Sequence, residues 1–221
     1  MQGVTSQHGA GTAAEAFAGR DAAGISLVAQ ADAVAEAAFA IAQRFRAGGT
    51  LLAFGNGNAG TDAAHLAVEF MHPVIVGKPA LPAIALGNDI ATVTGVAAGW
   101  REAPRDGRPE GVPESRWQGG GGFGDVYAHQ VRAHARSTDV ALAISVRADC
   151  PSIRAGLLAA RELGLLTVLL TGCEGASEGL ADHVLRVDAT DPAIVKEIHV
   201  TIYHLLWELV HVLLEQAAVA A

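Results

Sequence analysis

Two histidines and a glutamate occur at helical spacing within one short stretch of the chain. His65 and Glu69 are four residues apart, and His72 follows three residues later. Residues at these intervals lie on one face of an α-helix. A histidine and a carboxylate one turn apart can hold a divalent metal ion together or act as a base and its orienting partner. A surface ion pair would have the same spacing, so this stretch alone leaves both interpretations open.

A second polar stripe lies near the end of the chain. His204 has Glu197 seven residues before it, Glu208 four residues after it and His211 seven residues after it. In a helix, these side chains run beside a broad aliphatic face. A solvated face and an active site explain this stripe equally well.

The segment 54–60, FGNGNAG, follows a predicted strand and opens a predicted helix. Glycines at such a turn allow backbone N–H groups and the positive end of the helix to approach an anion, usually a phosphate. Many α/β proteins use glycine there only to turn the chain. The segment is therefore consistent with a phosphate-binding turn without establishing one.

The elements that must position these residues are predicted by alternating hydrophobic patterns. Short aliphatic runs predict buried strands, and they cover 50–54, 81–86, 140–145, 165–170 and 183–187. The segments between them predict helices, over 60–71, 89–96, 151–163 and 175–182. Strands that alternate with helices of this length form a parallel sheet covered on both faces. The predicted fold class is α/β.

Two long helices are predicted to frame this core, over 25–46 and 192–216. The second has an apolar face broader than one sheet requires. We expect such faces to pack against another subunit, although burial within one chain would also account for them. Residues 23–221 are read as a single domain, preceded by a loosely ordered arm over residues 1–22.

An irregular insert interrupts the domain at residues 100–122, WREAPRDGRPEGVPESRWQGGGG. Its composition favours disorder, but Trp100 and Trp117 are costly to leave in water, and long connections inside domains are often functional. We expect the insert to cover the cleft or to dock a protein partner.

The composition excludes several classes of function. The chain has 221 residues and a formal net charge of −8 without a basic run, which disfavours direct nucleic-acid binding. Two cysteines and no secretory leader indicate a cytoplasmic protein. The most apolar stretch, 200–214, contains two histidines and a glutamate, so no membrane-spanning helix is expected there.

The order of motifs resembles the sugar isomerase (SIS) domain, and specifically the phosphoheptose isomerases and their relative, the DnaA initiator-associating protein. The matching segments lie between about residues 25 and 216, outside the insert: GNGNAGTDAAHLAVEF, PAIALGND, FGDVYAHQVRA, DVALAIS, ELGLLTVLLTG, LADHVLRV and KEIHVTIYHLLWELV. The resemblance implies a three-layer, five-stranded parallel sheet of flavodoxin-like order, a tetramer with active sites between subunits, and interconversion of sedoheptulose 7-phosphate with a manno-heptose 7-phosphate.

The resemblance also implies roles for individual residues. Glu69 matches the general base and His204 the general acid of an aldose–ketose isomerase. His65, Glu69 and His204 match three of four zinc ligands found in some members. The substrate-binding positions are matched by Asn56, Gly57, Asn58 and Ser145.

Other positions depart from the family pattern. Ala59 replaces a serine of the first turn, Ala98 and Gly99 replace a substrate-contacting Asn-Asp pair, and the phosphate loop loses three hydroxyls between Ser145 and Ser152. Arg147 could bind the phosphate instead.

Lys196 stands where the family has its fourth ligand, a glutamine. We expect its ammonium group to bind substrate, to pair with Glu69 and to make zinc binding weak or absent. These departures keep open an alternative function, a non-catalytic SIS protein that binds a sugar phosphate or a protein partner.

Overall fold

The computed structural model describes residues 4–98 and 122–219 of the chain. Seven α-helices and five β-strands occur in the described ranges. In chain order they are α1 (Val4–Ser26), α2 (Ala31–Arg46), β1 (Leu51–Gly55), α3 (Asn58–Met71), β2 (Ala83–Ala85), α4 (Ile90–Ala97), α5 (Val126–His134), β3 (Val140–Arg147), α6 (Pro151–Glu162), β4 (Leu166–Glu174), β5 (His183–Arg186) and α7 (Pro192–Val219). Short 3₁₀ turns, Leu27–Gln30 and Phe123–Asp125, precede α2 and α5.

The five strands form one parallel sheet in the order β2-β1-β3-β4-β5. This is the flavodoxin-like order, and it confirms the predicted fold class. From β1 the chain adds β2 on one side, and from β3 it adds β4 and β5 on the other side. The connections that follow β1 and β3 therefore diverge between these two strands. In sheets of this kind ligands bind at that point, outside the carboxyl ends of the strands.

Helices cover both faces of the sheet and give it three layers. Alternate side chains of each central strand point to opposite faces. Leu51 and Leu142 contribute to a core with α2, α3 and α7. Leu52 and Ala141 contribute to the core on the other face, with α5 and α6. Helices α3 and α7 therefore share a layer, which places the two polar stripes of the sequence side by side.

Residues 4–26 form helix α1 where a loosely ordered arm was expected. The segment lacks a strong hydrophobic periodicity, but it is rich in alanine, which has the highest helix propensity. Its last turns are attached to the domain, since Ala23 is buried and Arg20 bonds to Glu197 of α7 at 2.6 and 2.8 Å. The described part of the predicted arm is therefore helical, and its last turns contact α7.

The predicted helix over 175–182 is absent, and the chain forms turns there. Gly175 and Gly179 have φ values of 86° and 66°, which end any right-handed helical course. Asp182 closes the segment by accepting hydrogen bonds from the Thr167 N–H at 2.9 Å and hydroxyl at 2.8 Å. The insert predicted at 100–122 lies outside the described residues except for Gly122.

One helical stretch of the described chain, Gly11–Arg46, is long and apolar enough to cross a membrane by length and composition alone. The 3₁₀ turn before α2 interrupts it. Within α2, Val34, Ile41 and Phe45 are buried in the core beside α7. Core helices of globular proteins meet the same length and composition test, so this stretch is weak evidence for a membrane.

Candidate active site

The glycine-rich turn places the start of α3 against the carboxyl ends of β1 and β3. A side chain at Gly55 would have its Cβ 2.7 Å from backbone atoms of Ala59 and Ile144. Gly57 has a φ of 55°, a conformation that other residues rarely adopt. Two glycines are therefore required for geometry, because they allow α3 to begin immediately after the strand.

The Asn56 side chain holds this turn in place. Its amide nitrogen donates to the Ser152 hydroxyl at 2.8 Å and contacts the Cys150 sulfur at 3.1 Å. The Tyr127 hydroxyl lies 2.9 Å from Asn56 Oδ1 and also contacts the Gly55 carbonyl. Burial raises the pKa of Tyr127 to about 12, so this hydroxyl stays protonated and can donate. Asn56 thus shapes the turn, while Gly57 and Asn58 are exposed at its surface.

The structure brings together the three residues for which the resemblance implied acid–base and metal-binding roles. Ligand atoms of His65, Glu69 and His204 all lie within 4.8 Å of one another. His65 Nε2 is 3.0 Å from Glu69 Oε1, and the rings of His65 and His204 meet edge to face with centroids 5.3 Å apart. The cluster joins α3 to α7, and it combines a carboxylate with two imidazoles in a partly exposed position.

Two aromatic residues of α7 support this cluster, and the sequence analysis did not identify them. The buried Tyr203 hydroxyl is 2.8 Å from His65 Nδ1. The Trp207 indole donates to the backbone carbonyl of Glu69 at 2.8 Å. Burial, with smaller contributions from the charges of Asp62 and Glu69, raises the pKa of Tyr203, so its hydroxyl is protonated. Tyr203 and Trp207 are four residues apart in the most apolar stretch of the sequence. Their polar contacts could not be recognised there, because aromatic residues in such a stretch are interpreted as core.

The remaining members of the two polar stripes do not join the cluster. His211 is buried, stacks on Phe70 and has its ring nitrogens 2.9 and 3.2 Å from two backbone carbonyls. Glu197 pairs with Arg20. His72 ends α3 as its C-cap residue, and Glu208 is exposed. Only His204 of the second stripe faces His65 and Glu69.

Lys196 pairs with Asp62, not with Glu69 as expected. Its ammonium nitrogen is 2.6 Å from Asp62 Oδ1. Helices α3 and α7 run side by side in the same direction, and Lys196 precedes His204 by about two turns, as Asp62 precedes Glu69. Lys196 therefore faces the start of α3. Its positive charge is paired with the Asp62 carboxylate, away from the cluster of His65, Glu69 and His204.

A cavity of about 270 Å³ lies at this end of the two helices, with Asn58, Ala59, Val146 and Lys196 in its lining. Asp62 Oδ2 and His199 Nε2 are buried there without a hydrogen-bond partner among the described residues. Burial lowers the pKa of His199 to about 4, so its imidazole is neutral at pH 7. The cavity therefore offers the ammonium group of Lys196 to a polar ligand, and two buried acceptors without a partner belong to residues of its lining.

The polar side chains at the end of β3 bond to their own strand, to the loop after it and to the end of β4. The Ser145 hydroxyl donates to the Arg147 carbonyl at 2.7 Å. Arg147 donates to Asp149 at 2.8 and 3.1 Å and also pairs with Glu174. The Arg147 guanidinium, mainly through these hydrogen bonds, lowers the pKa of Asp149. The Arg147 guanidinium, which was expected to bind phosphate, is therefore paired with two carboxylates.

The cluster fits zinc in donor type and spacing. Two imidazoles and one carboxylate form a donor set known from catalytic zinc sites, in which a fourth position stays open. Lys196 does not enter the cluster, because it is bound to Asp62. His65, Glu69 and His204 are therefore the residues that would hold the metal ion.

Comparisons with known proteins identify the family of this chain. Residues 23–101 match the SIS domain family. The phosphoheptose isomerase of Solidesulfovibrio magneticus is 37% identical over 186 residues, which cover 84% of this chain and 81% of that protein. The corresponding enzyme of Desulfovibrio desulfuricans is 35% identical over 182 residues, covering 81% and 76%. The solved structure of a phosphoheptose isomerase from Francisella tularensis has a TM-score of 0.78 and 27% identity, covering 92% of this chain and 98% of that chain. This chain belongs to the phosphoheptose isomerase family of SIS-domain proteins.

Proposed function

We propose that the protein is an aldose–ketose isomerase of a sugar phosphate, with sedoheptulose 7-phosphate and a manno-heptose 7-phosphate as its substrate and product. The observation that carries this proposal is the meeting of Glu69 and His204 beside His65, with all three ligand atoms within 4.8 Å. An enediol mechanism requires a base and an acid on either side of two neighbouring carbons. The family membership supplies the substrate class.

Glu69 is the general base in this proposal. Its Oε1 is held by His65, which leaves Oε2 to take the proton from the carbon next to the carbonyl. His204 is the general acid and gives a proton to the carbonyl oxygen, so that an enediol forms. Glu69 then gives its proton to the former carbonyl carbon, and His204 takes back a proton from the other hydroxyl, whose oxygen becomes the new carbonyl. Each proton transfer of this kind contributes about 10²- to 10⁴-fold to the rate.

The remaining contacts to substrate are assigned to the turn after β1, the loop after β3 and the start of α7. Gly57 and Asn58 present backbone N–H groups at the positive end of α3, and Asn56 holds them in place. Lys196 offers a charged donor to the cavity between α3 and α7. Ser145 and Arg147 would contribute to the phosphate end after exchange of their present partners.

Zinc would be held by His65, Glu69 and His204, and when bound it would polarise the substrate carbonyl as a Lewis acid. We predict weak zinc binding or none. His65 Nε2 and Glu69 Oε1 already bond to each other, so a metal ion would have to replace that contact.

Self-association and a cytoplasmic location are further parts of the proposal. Ile25, Val28, Phe39 and Leu205 expose apolar side chains on the terminal helices. A second copy of the chain would remove these surfaces from water, as a dimer or tetramer requires. Light scattering at micromolar concentration should therefore detect an oligomer, and a stable monomer would contradict this part.

A second candidate function, binding without catalysis, is supported by the residues where the family pattern has its phosphate-binding hydroxyls. Ala59 and Val146 carry no hydroxyl where the family pattern has one, and Arg147 is engaged by Asp149 and Glu174. A protein with this loop could bind a sugar phosphate, or a protein partner at the 100–122 insert, without converting it.

A deuterium-exchange assay separates the two functions. Purified protein is incubated with sedoheptulose 7-phosphate in D₂O, and NMR follows both the isomer and deuterium at the carbon next to the carbonyl. The isomerase hypothesis expects both signals in the wild type and neither in Glu69→Gln. Glu208→Gln is the matched control on an exposed glutamate and should behave as wild type. Binding of the sugar without exchange would reject the enzyme and favour the binding protein.

A further inference from the structure

We propose that Tyr203 is a positioning residue of the acid–base site: its hydroxyl donates to His65 Nδ1, which stabilises the tautomer that donates to Glu69 and so fixes the orientation of the Glu69 carboxylate. The consequence for turnover rests on the proposed function. The structural part rests on the contacts of these three side chains.

The three side chains form a continuous chain of hydrogen bonds from the core to the site. Tyr203 is fully buried, and its hydroxyl lies 2.8 Å from His65 Nδ1. His65 Nε2 lies 3.0 Å from Glu69 Oε1. The Tyr203 hydroxyl has no second partner within residues 4–98 and 122–219, and a buried hydroxyl without a partner is costly. His65 is therefore held at both ring nitrogens.

The charge on Glu69 decides which nitrogen carries the proton. With the proton on Nδ1, the lone pair of Nε2 would face a carboxylate oxygen at 3.0 Å, and that contact would be repulsive. With the proton on Nε2, His65 donates to Glu69, and Nδ1 accepts the proton of the Tyr203 hydroxyl. Only the second arrangement makes both contacts attractive while Glu69 is ionised.

This arrangement has a direct consequence for the base. A donated N–H bond holds Oε1 of Glu69 in one place, and the carboxylate cannot rotate without breaking it. The other oxygen then points consistently to one position for the substrate. Partners in this outer position, which orient a histidine through its second nitrogen, typically change activity by about 10- to 100-fold.

The ring of Tyr203 has a separate role in packing. It meets His65 edge to face at 5.6 Å between centroids and His204 at 4.8 Å. Tyr203→Phe keeps the ring and removes only the hydroxyl, so it isolates the hydrogen bond from the packing. Thr167→Val is a matched control, because Thr167 is also fully buried and its hydroxyl bonds to Asp182 at 2.8 Å, at the opposite end of the sheet.

The first test measures the tautomer without any sugar. Metal-free protein labelled with ¹⁵N-histidine is compared by NMR with His65→Gln, which identifies the His65 signals. In the wild type, the proton should be on Nε2, with Nδ1 as an acceptor. In Tyr203→Phe, the Nδ1 signal should move toward that of an unbonded nitrogen, and Thr167→Val should leave it unchanged. A wild-type spectrum with the proton on Nδ1, or an unchanged Tyr203→Phe spectrum, overturns the proposal.

The second test uses the isomerase assay. Tyr203→Phe should lower kcat about tenfold with KM within about twofold of the wild type, because the hydroxyl orients the base and does not touch substrate. An equal loss in Thr167→Val would show a general structural effect and overturn the role in turnover. A wild type that binds sugar without turnover would reject the isomerase, while the NMR result would still decide whether Tyr203 stabilises the tautomer.

Discussion

The two ends of the active-site cleft differ in how closely they follow the family pattern. At the α3–α7 end, His65, Glu69 and His204 are present and lie within 4.8 Å of one another. At the end formed by the last residues of β3 and the loop after it, hydroxyls are missing, and Arg147 is neutralised by Asp149 and Glu174. Proton transfer depends on a few atoms in fixed positions, whereas a phosphate can be bound by many arrangements of donors. Under the proposed isomerase function, the comparison means that the reaction type is retained while recognition of the anion has changed.

The strongest test of the retained end is the removal of its acid. His204→Asn should lower kcat by about 100-fold, because the carbonyl oxygen loses its proton donor. His129→Asn is a suitable control, since His129 is an exposed histidine on α5, away from the cluster. Rates are measured by conversion of sedoheptulose 7-phosphate at saturating substrate. A His204→Asn enzyme with nearly full kcat would remove His204 from the mechanism.

The altered end is tested through Arg147 and the carboxylate that binds it. If Arg147 contacts the phosphate, Arg147→Ala should weaken binding of the sugar phosphate about tenfold, since a charge-assisted bidentate contact contributes roughly 1.5 to 3 kcal/mol. Asp149→Asn should strengthen binding, because it removes the charge of one of the two carboxylates that pair with the guanidinium. Calorimetric titration measures both affinities. Unchanged affinity in the two variants would mean that the anion is bound elsewhere, with Lys196 as the remaining cation of the site.

The metal prediction concerns the α3–α7 end, where His65, Glu69 and His204 lie. Untreated protein should contain much less than one zinc ion per chain, and a chelator should leave its activity unchanged. Lys196→Gln should leave zinc occupancy low, because the Lys196 ammonium is bound to Asp62 and stands outside the cluster. Metal analysis of the purified variants gives the answer directly. Stoichiometric zinc in the wild type that disappears in His65→Ala would show that the His65–Glu69 contact does not hinder the ion.

Much of the scaffold could be predicted from local patterns. Each of the five strands appears within a few residues of its predicted position, because buried parallel strands give short aliphatic runs bounded by turn residues. The helix over 175–182 failed, since its two glycines at positive φ outweighed the apolar pattern. Helix α1 was missed because alanine supports a helix without leaving a periodic stripe.

The site could be predicted only in part, because its contacts depend on how α3 and α7 are aligned. The spacing of His65 and Glu69 placed them on one helix face, but only the family resemblance associated them with His204. The pairing of Lys196 with Asp62 requires the two helices to be parallel and in register, which local spacing does not contain. Tyr203 was hidden for a related reason: a tyrosine in an apolar run is read as core until its hydroxyl partner is known.

The smallest expected effect is a pH-dependent loss of stability caused by His199, at the cavity between the two ends. Burial lowers the pKa of folded His199 to about 4, whereas an unfolded chain takes up this proton near pH 6.5. Between these values the unfolded state binds more protons, so acid favours unfolding. Stability from this group is complete above pH 6.5 and is lost as the pH falls toward 4.

Urea unfolding at pH 7 and pH 6 measures this contribution. The wild type should lose about 0.7 kcal/mol more stability over this interval than His199→Gln, which has no proton to gain. Other groups titrate in both proteins. The contribution of His199 is therefore the difference between wild type and variant in how the free energy of unfolding changes with pH. Equal slopes in wild type and variant without ligand would show that His199 is already accessible to protons, and that the cavity is open to water rather than closed around two unpaired acceptors.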